Sequence, residues 1–164
     1  NNGQYIYENV EEYSTLGASI NSQVNFNQFK LNLEYSKTGK EFTNISKNFK
    51  FFDEFSTSFS RNYMNYNILL NLKYNGKYTF LSTDENNYVK ENTANSYTML
   101  DFSINRKFNN IFILFGIKNI LNTKDIEFNG ISSSIHQSSS SSISTSYGTS
   151  FFIKLDYSLW KKYF

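Results

Sequence analysis

Ser150-Phe151-Phe152-Ile153-Lys154-Leu155-Asp156-Tyr157-Ser158-Leu159 decides how this chain is read. Phe151, Ile153, Leu155, Tyr157 and Leu159 share one parity, and Phe152, Lys154, Asp156 and Ser158 share the other. An extended strand here has one almost wholly apolar face and one mostly polar face. Soluble strands cluster at about five or six residues, whereas a tilted strand that crosses a bilayer needs about 9–11. The segment is therefore expected to cross lipid, its apolar parity against acyl chains and its polar parity against protein or water. Other long segments should repeat the pattern.

Leu16, Ala18, Ile20, Val24 and Phe26 alternate with Gly17, Ser19, Asn21, Gln23 and Asn25. A two-residue turn at Asn27-Gln28 then sets Phe26 opposite Phe29 on the same face. From there Phe29, Leu31, Leu33 and Tyr35 continue against Lys30, Asn32, Glu34 and Ser36. Met64, Tyr66, Ile68, Leu70, Leu72 and Tyr74 alternate with Asn65, Asn67, Leu69, Asn71 and Lys73, with Leu69 the exception. Leu100, Phe102, Ile104 and Phe108 oppose Met99, Asp101, Ser103, Asn105 and Lys107, and Asn109-Asn110 joins Phe108 to the run Ile111, Ile113, Phe115, Ile117. With a β-rich opening at Gln4 to Val10 and a less regular strand from Tyr78, eight strands are expected.

Asn75-Gly76 reads as a further hairpin signal. The stretches from about Thr38 to Phe59, Asp84 to Ser96 and Asn122 to Ser146 lose the alternation and are expected to be loops. Short turns near 27, 75 and 109 then alternate with long connections, the asymmetry of an outer-membrane barrel. Tyr35, Tyr74, Tyr97, Tyr147 and Tyr157, near strand ends, suit aromatic girdles. A soluble β-sandwich carries the same alternation on its inner faces. Strand length and loop asymmetry favour the membrane.

Composition agrees. The 164 residues suit one domain, 19% are aromatic with 13 Tyr and 17 Phe, and Pro and Cys are absent. Proline removes a ladder donor, so its absence suits a chain made mostly of strand. Without Cys there is no disulfide or thiolate metal site. A formal charge of +2 with no basic block gives no reason to expect nucleic acid as a partner. No apolar run approaches the roughly 20 residues that a membrane helix needs. The start at Asn1, without initiator Met or signal regions, is expected of a mature product or a piece of something longer.

Leu100-Asp101-Phe102-Ser103-Ile104, Gly116-Ile117-Lys118-Asn119-Ile120-Leu121-Asn122, the Ser-rich Ser133-Ser134-Ile135-His136-Gln137-Ser138 and Tyr147-Gly148-Thr149-Ser150-Phe151-Phe152 together resemble the C-terminal end of TonB-dependent outer-membrane receptors of the Bacteroidetes type. Tyr7-Glu8-Asn9-Val10 followed by Leu16-Gly17 extends the resemblance over most of the chain. Two features depart from the family. Gly148 is followed by Thr149 rather than Arg, and the terminal aromatic Phe164 has the opposite parity to Tyr157 and Leu159.

The resemblance implies an all-β transmembrane antiparallel barrel of about twenty-two strands, of which residues 1–164 are the last eight. The plug domain and earlier strands would lie outside this chain. It further implies import of a scarce nutrient such as an iron chelate, haem or cobalamin, in the cell outer membrane. The implied partners are the rest of the receptor, the TonB energy-coupling complex, the lipid bilayer and a surface lipoprotein. Physics supports the same expectation on its own account, because an eight-stranded arc in lipid leaves two edges of unpaired backbone groups and must close on itself or pair with more sheet.

Catalytic chemistry is sparse. His136 is the single histidine, and among so many serines its neighbours say little about a nucleophile and base. It is kept as a ligand-contacting loop residue, since imidazole ligates iron and cobalt. Asp84, Glu85 and Glu91 lack the spacing of a calcium loop. Phe51, Phe52 and Phe55, within a cluster that includes Phe49 and Phe59, are loop candidates for binding an apolar cargo or partner, set against packing within a folded loop or a strand that the alternation hides. Lys118, Asp101, Lys154 and Asp156 are expected to form a polar network facing the lumen. Neither an enzyme nor a cofactor is expected. The alternatives are a complete eight-stranded barrel with a structural or adhesive role, and a small outer-membrane enzyme with active residues in its loops.

Overall fold

A computed structural model describes residues 13–42, 46–83, 88–129 and 142–159. They form β1 (Tyr13–Phe26), β2 (Phe29–Phe42), β3 (Ser46–Tyr63), β4 (Tyr66–Asn75), β5 (Tyr78–Thr83), β6 (Val89–Ala94), β7 (Tyr97–Phe108), β8 (Ile111–Lys118), β9 (Asp125–Asn129), β10 (Ser142–Ser144) and β11 (Ser150–Tyr157). The chain is all-β. Seven strands make one antiparallel sheet in the order β1-β2-β3-β4-β7-β8-β11, and β10-β9-β6-β5 make a smaller one. The smaller sheet is built from the connections of the larger, so the main sheet is a simple up-and-down meander.

The two turns expected at Asn27-Gln28 and Asn109-Asn110 are present, pairing Phe26 with Phe29 and Phe108 with Ile111. Five other expectations are corrected, two of them the stretches from about Asp84 to Ser96 and Asn122 to Ser146, expected to be loops, which carry β6, β9 and β10. Residues 38–42 and 46–59 are strand rather than loop, because β2 runs on to Phe42 and β3 pairs with it from Arg61 back to Lys50. Asn75-Gly76 is no hairpin turn, since Asn75 pairs with Tyr97 and β5 leaves for the second sheet. The third tight turn is Met64-Asn65, between β3 and β4. Among the described residues there are seven strands in the main sheet and four beside it, while one of the eight expected strands, at Gln4 to Val10, lies outside the described residues.

Asn27, Met64 and Asn109 each take a positive φ at the first turn residue, the feature of a type II′ hairpin. Asn tolerates that conformation, whereas an ordinary side chain pays about 1 kcal/mol for it. Met64→Asn is therefore expected to stabilise the protein by about 0.5–1 kcal/mol in equilibrium unfolding. Loss of stability on that change would mean the Met64 side chain has a packing role that outweighs its backbone strain.

Register places every apolar set on one face. Val24 pairs with Leu31, Leu31 with Phe59, Phe59 with Leu70, Leu70 with Phe102, Phe102 with Ile117 and Ile117 with Phe151, one unbroken row across the whole sheet. The other face carries Gln23, Asn32, Ser58, Asn71 and Asp101 in the next rung. Among the described residues the apolar face meets no second layer of protein. Ile20 is 68% exposed and Ile153 75% on the edge strands, and Leu70 is still 37% exposed in the centre. Among the described residues the buried hydrophobics are Phe42, Ala94 and Ile126, all toward the end with the long connections. Ile113, Phe115, Ile153 and Leu155 are not gathered in a core.

The tight turns step along the sheet. Phe29 lies opposite Arg61, two residues before the β3 end at Tyr63, and Tyr66 lies opposite Arg106, two residues before the β7 end at Phe108. That is a stagger of one residue per strand. At about 3.3 Å per residue and about 4.8 Å between strands, it corresponds to a strand tilt of about 35°.

At the opposite end β3 outruns β4, and the smaller sheet leans on its overhang. Phe52 meets Tyr78 with ring centroids 6.4 Å apart, and Lys50 Nζ lies 3.6 Å from Glu91 Oε2. Gly76 N donates to Asp53 O at 2.7 Å, and a Cβ on Gly76 would stand 2.7 Å from that same oxygen. Only glycine allows so close an approach.

Candidate functional site

The polar face is the larger candidate surface. A cavity of about 560 Å³ opens on it, lined from five strands by Asn21 and Gln23 of β1, Asn32 and Glu34 of β2, Ser56 and Ser58 of β3, Asn71 and Lys73 of β4, and Met99 and Asp101 of β7. A flat sheet has no such hollow, so the polar side is the concave one. Alternation in sequence puts these groups on one face, and the curl of the sheet makes them converge.

They are held in lateral rungs. Asn32 Nδ2 donates to Ser58 Oγ at 2.8 Å, and Ser56 Oγ donates to Glu34 Oε2 at 3.2 Å. Glu54 accepts from Ser36 Oγ at 3.5 Å and lies 3.6 Å from Lys73 Nζ, tying three strands together. Nearer the tight turns, Asn105 Nδ2 donates to Asn67 Oδ1 at 3.2 Å, and Asn67 Nδ2 donates to Asn62 Oδ1 at 2.6 Å. Such a surface offers amide, hydroxyl and mixed-sign charged groups to a hydrated solute or to a packed protein element.

A second polar cluster closes the root of the connection from β8 to β11. Asn119, 4% exposed and at φ 52, donates from Nδ2 to Thr123 O at 2.6 Å and to Ser146 Oγ at 2.8 Å. Its Oδ1 accepts from Thr123 N at 3.0 Å, while its own N–H donates to Asp101 Oδ1 at 2.8 Å. Thr149 Oγ1 donates back to Asn119 O at 2.8 Å. These bonds fasten the ends of an excursion that carries β9 and β10.

The residues singled out from sequence fall into separate places. Phe51 and Phe55 lie on the apolar face of β3 with Phe59, and Phe52 lies on the opposite face against Tyr78. They are strand residues rather than the loop residues expected, and they do not converge on one site. His136 lies outside the described residues. Lys118, Asp101, Lys154 and Asp156 share the polar face: Asp101 holds Asn119, Lys154 Nζ pairs with Asp156 Oδ2 at 2.9 Å, and Lys118 Nζ lies 5.7 Å from the Phe152 ring centre. Among the described residues no three His, Cys, Asp or Glu side chains gather as a metal site.

Sequence reasoning missed Ser56 and Ser58, because they sit in the segment read as a loop, and it assigned Asn119 no role of its own. The signal for Ser56 and Ser58 was present: Phe55, Thr57 and Phe59 alternate with Ser56, Ser58 and Ser60. No protein-family model, curated protein or solved structure matches this chain.

Proposed function

We propose that this chain is part of the wall of an outer-membrane β-barrel, and that the barrel is a TonB-dependent receptor importing a scarce nutrient. The observation that carries the wall is the uncovered apolar face running across seven strands, backed by a concave polar one. A soluble protein would have to leave that whole face in water, far beyond the few hundred Å² that a monomer exposes. In a bilayer it is the expected exterior, and the tilt of about 35° falls at the lower limit of the range for such barrels.

The receptor reading rests on the resemblance carried by the residues from Leu100 to Phe152. In it, the polar concave face borders a plug supplied by the remainder of the receptor, and the long-connection end, with the second sheet, meets cargo outside the cell. Among the described residues β1 and β11 are each bonded on one side only, which weighs for a wall continued by further strands over a small closed barrel.

Because this chain contains no Cys, single cysteines test the wall directly. In the complete protein in its native membrane, cysteines at Ile153 and Leu70 are expected to resist a water-soluble maleimide that labels cysteines at Lys154 and Asn71. Equal labelling of both parities overturns the membrane wall. Uptake of the cargo is expected to stop when the proton-motive force is collapsed, and uptake that persists overturns the receptor while leaving the wall standing.

A further inference from the structure

The chain has two arginines, and they occupy the same position in two hairpins. Arg61 and Arg106 each stand two residues before the end of their strand, β3 and β7, on the apolar face at the tight-turn end. Each guanidinium lies over two rings. For Arg61 the ring centres of Phe29 and Tyr63 are 4.8 and 5.4 Å away, and for Arg106 those of Phe108 and Tyr66 are 4.0 and 4.6 Å away. Arg106 Nη1 also donates to the Tyr66 hydroxyl.

Neither cation is neutralised by a described residue. Among the described residues no carboxylate pairs with either, and Arg106 Nε is covered yet has no hydrogen-bond partner. Rings attract a cation but do not cancel its charge. Beside Arg106 an apolar groove of about 180 Å³ runs along Ile104, Ile113 and Phe115. A planar fork with free donors, fixed by stacking next to an apolar groove, matches a ligand with an anionic head and a hydrocarbon tail.

We propose that Arg106, with Tyr66 and Phe108, binds the phosphodiester of a glycerophospholipid in the leaflet at the tight-turn end, one acyl chain lying in the groove. Arg61 repeats the stacking on two rings and is the candidate for a second lipid head. The proposal rests on the membrane-wall reading above. A free phosphate would gain the same charge contact but nothing from the groove, and a bare acyl chain would leave the guanidinium unpaired.

The test uses the complete protein in detergent micelles, with phosphatidylglycerol added and retained lipid counted by native mass spectrometry. Arg106→Gln is expected to weaken retention about tenfold, the loss of one charge-assisted contact. Arg106→Lys keeps the charge, and so the fold, but loses fork and stacking, and should weaken retention to an intermediate degree. Millimolar inorganic phosphate should leave bound lipid in place. Wild-type retention in the Lys and Gln variants overturns the site, and displacement by inorganic phosphate reassigns it to free anions and overturns the lipid. The maleimide pattern at 153 and 154 reports the wall separately, so its failure is distinguishable from failure of the lipid site.

Discussion

Asn119→Ala is expected to destabilise the protein by about 3.5 kcal/mol or more and to loosen the connection between β8 and β11. The change deletes three side-chain hydrogen bonds, to Thr123 O, Ser146 Oγ and Thr123 N. Each contributes about 0.5–1.5 kcal/mol net, and a buried N–H left without a partner costs about 1–3 kcal/mol more. Alanine at φ 52 adds about 1 kcal/mol of backbone strain. Asn119→Gly removes the same bonds without that strain, so it should be the milder variant by about that amount. Equilibrium unfolding measures the cost, and proteolysis between Thr123 and Thr149 should speed up together with it. An alanine variant within about 1 kcal/mol of wild type would show that water replaces the side chain and that the cluster does not fasten the excursion.

The parts of the fold that the sequence reveals are those where a local rule and a global one agree. Phe26-Asn27-Gln28-Phe29 and Phe108-Asn109-Asn110-Ile111 combine a turn-prone pair with apolar residues that must share a face, and both turns form where expected. β3 is hidden because its upper half breaks parity. Phe52 sits on the polar side, where Tyr78 of the second sheet covers it, and Asp53 sits on the apolar side, where Lys37 Nζ at 3.7 Å and the Tyr35 hydroxyl at 2.5 Å satisfy it. Both positions lie beyond the uniform apolar band, where the surroundings no longer dictate which parity is apolar.

Two turn signals mislead for related reasons. Tyr63-Met64-Asn65-Tyr66 turns without Gly or Pro, accepting strain at Met64. Asn75-Gly76 looks like a turn, but its glycine serves a backbone approach to Asp53, which is distant in sequence. The polar side of the wall is legible as a row of Asn, Ser and Lys. Its hollow is not, because curvature belongs to the sheet and to no single strand. The Asn119 cluster joins residues up to 30 positions apart, and nothing periodic marks it.

Leu70→Lys is expected to cost about 2–4 kcal/mol of stability in a bilayer, and Asn71→Lys less than about 1. The two positions are adjacent in β4 and differ only in face. Ten residues of β4, tilted by about 35°, rise roughly 27 Å, close to the roughly 25 Å apolar band of a barrel wall. Leu70, four residues from the first at Tyr66, is then near the midplane, where a lysine must drag its charge into hydrocarbon or bend toward an interface. Asn71 lines the polar cavity with Lys73 and Asp101, so another ammonium there is solvated. In water the order reverses. A 37% exposed leucine on an uncovered sheet face would give way to lysine with little loss and better solubility, whereas Asn71 would add a second cation beside Lys73. Unfolding of the complete protein in lipid vesicles therefore reads the environment of the apolar face from the sign of one difference. A Leu70→Lys variant as stable as Asn71→Lys removes the lipid from this account, and with it the reason for every outward-facing hydrophobic residue from Leu16 to Tyr157.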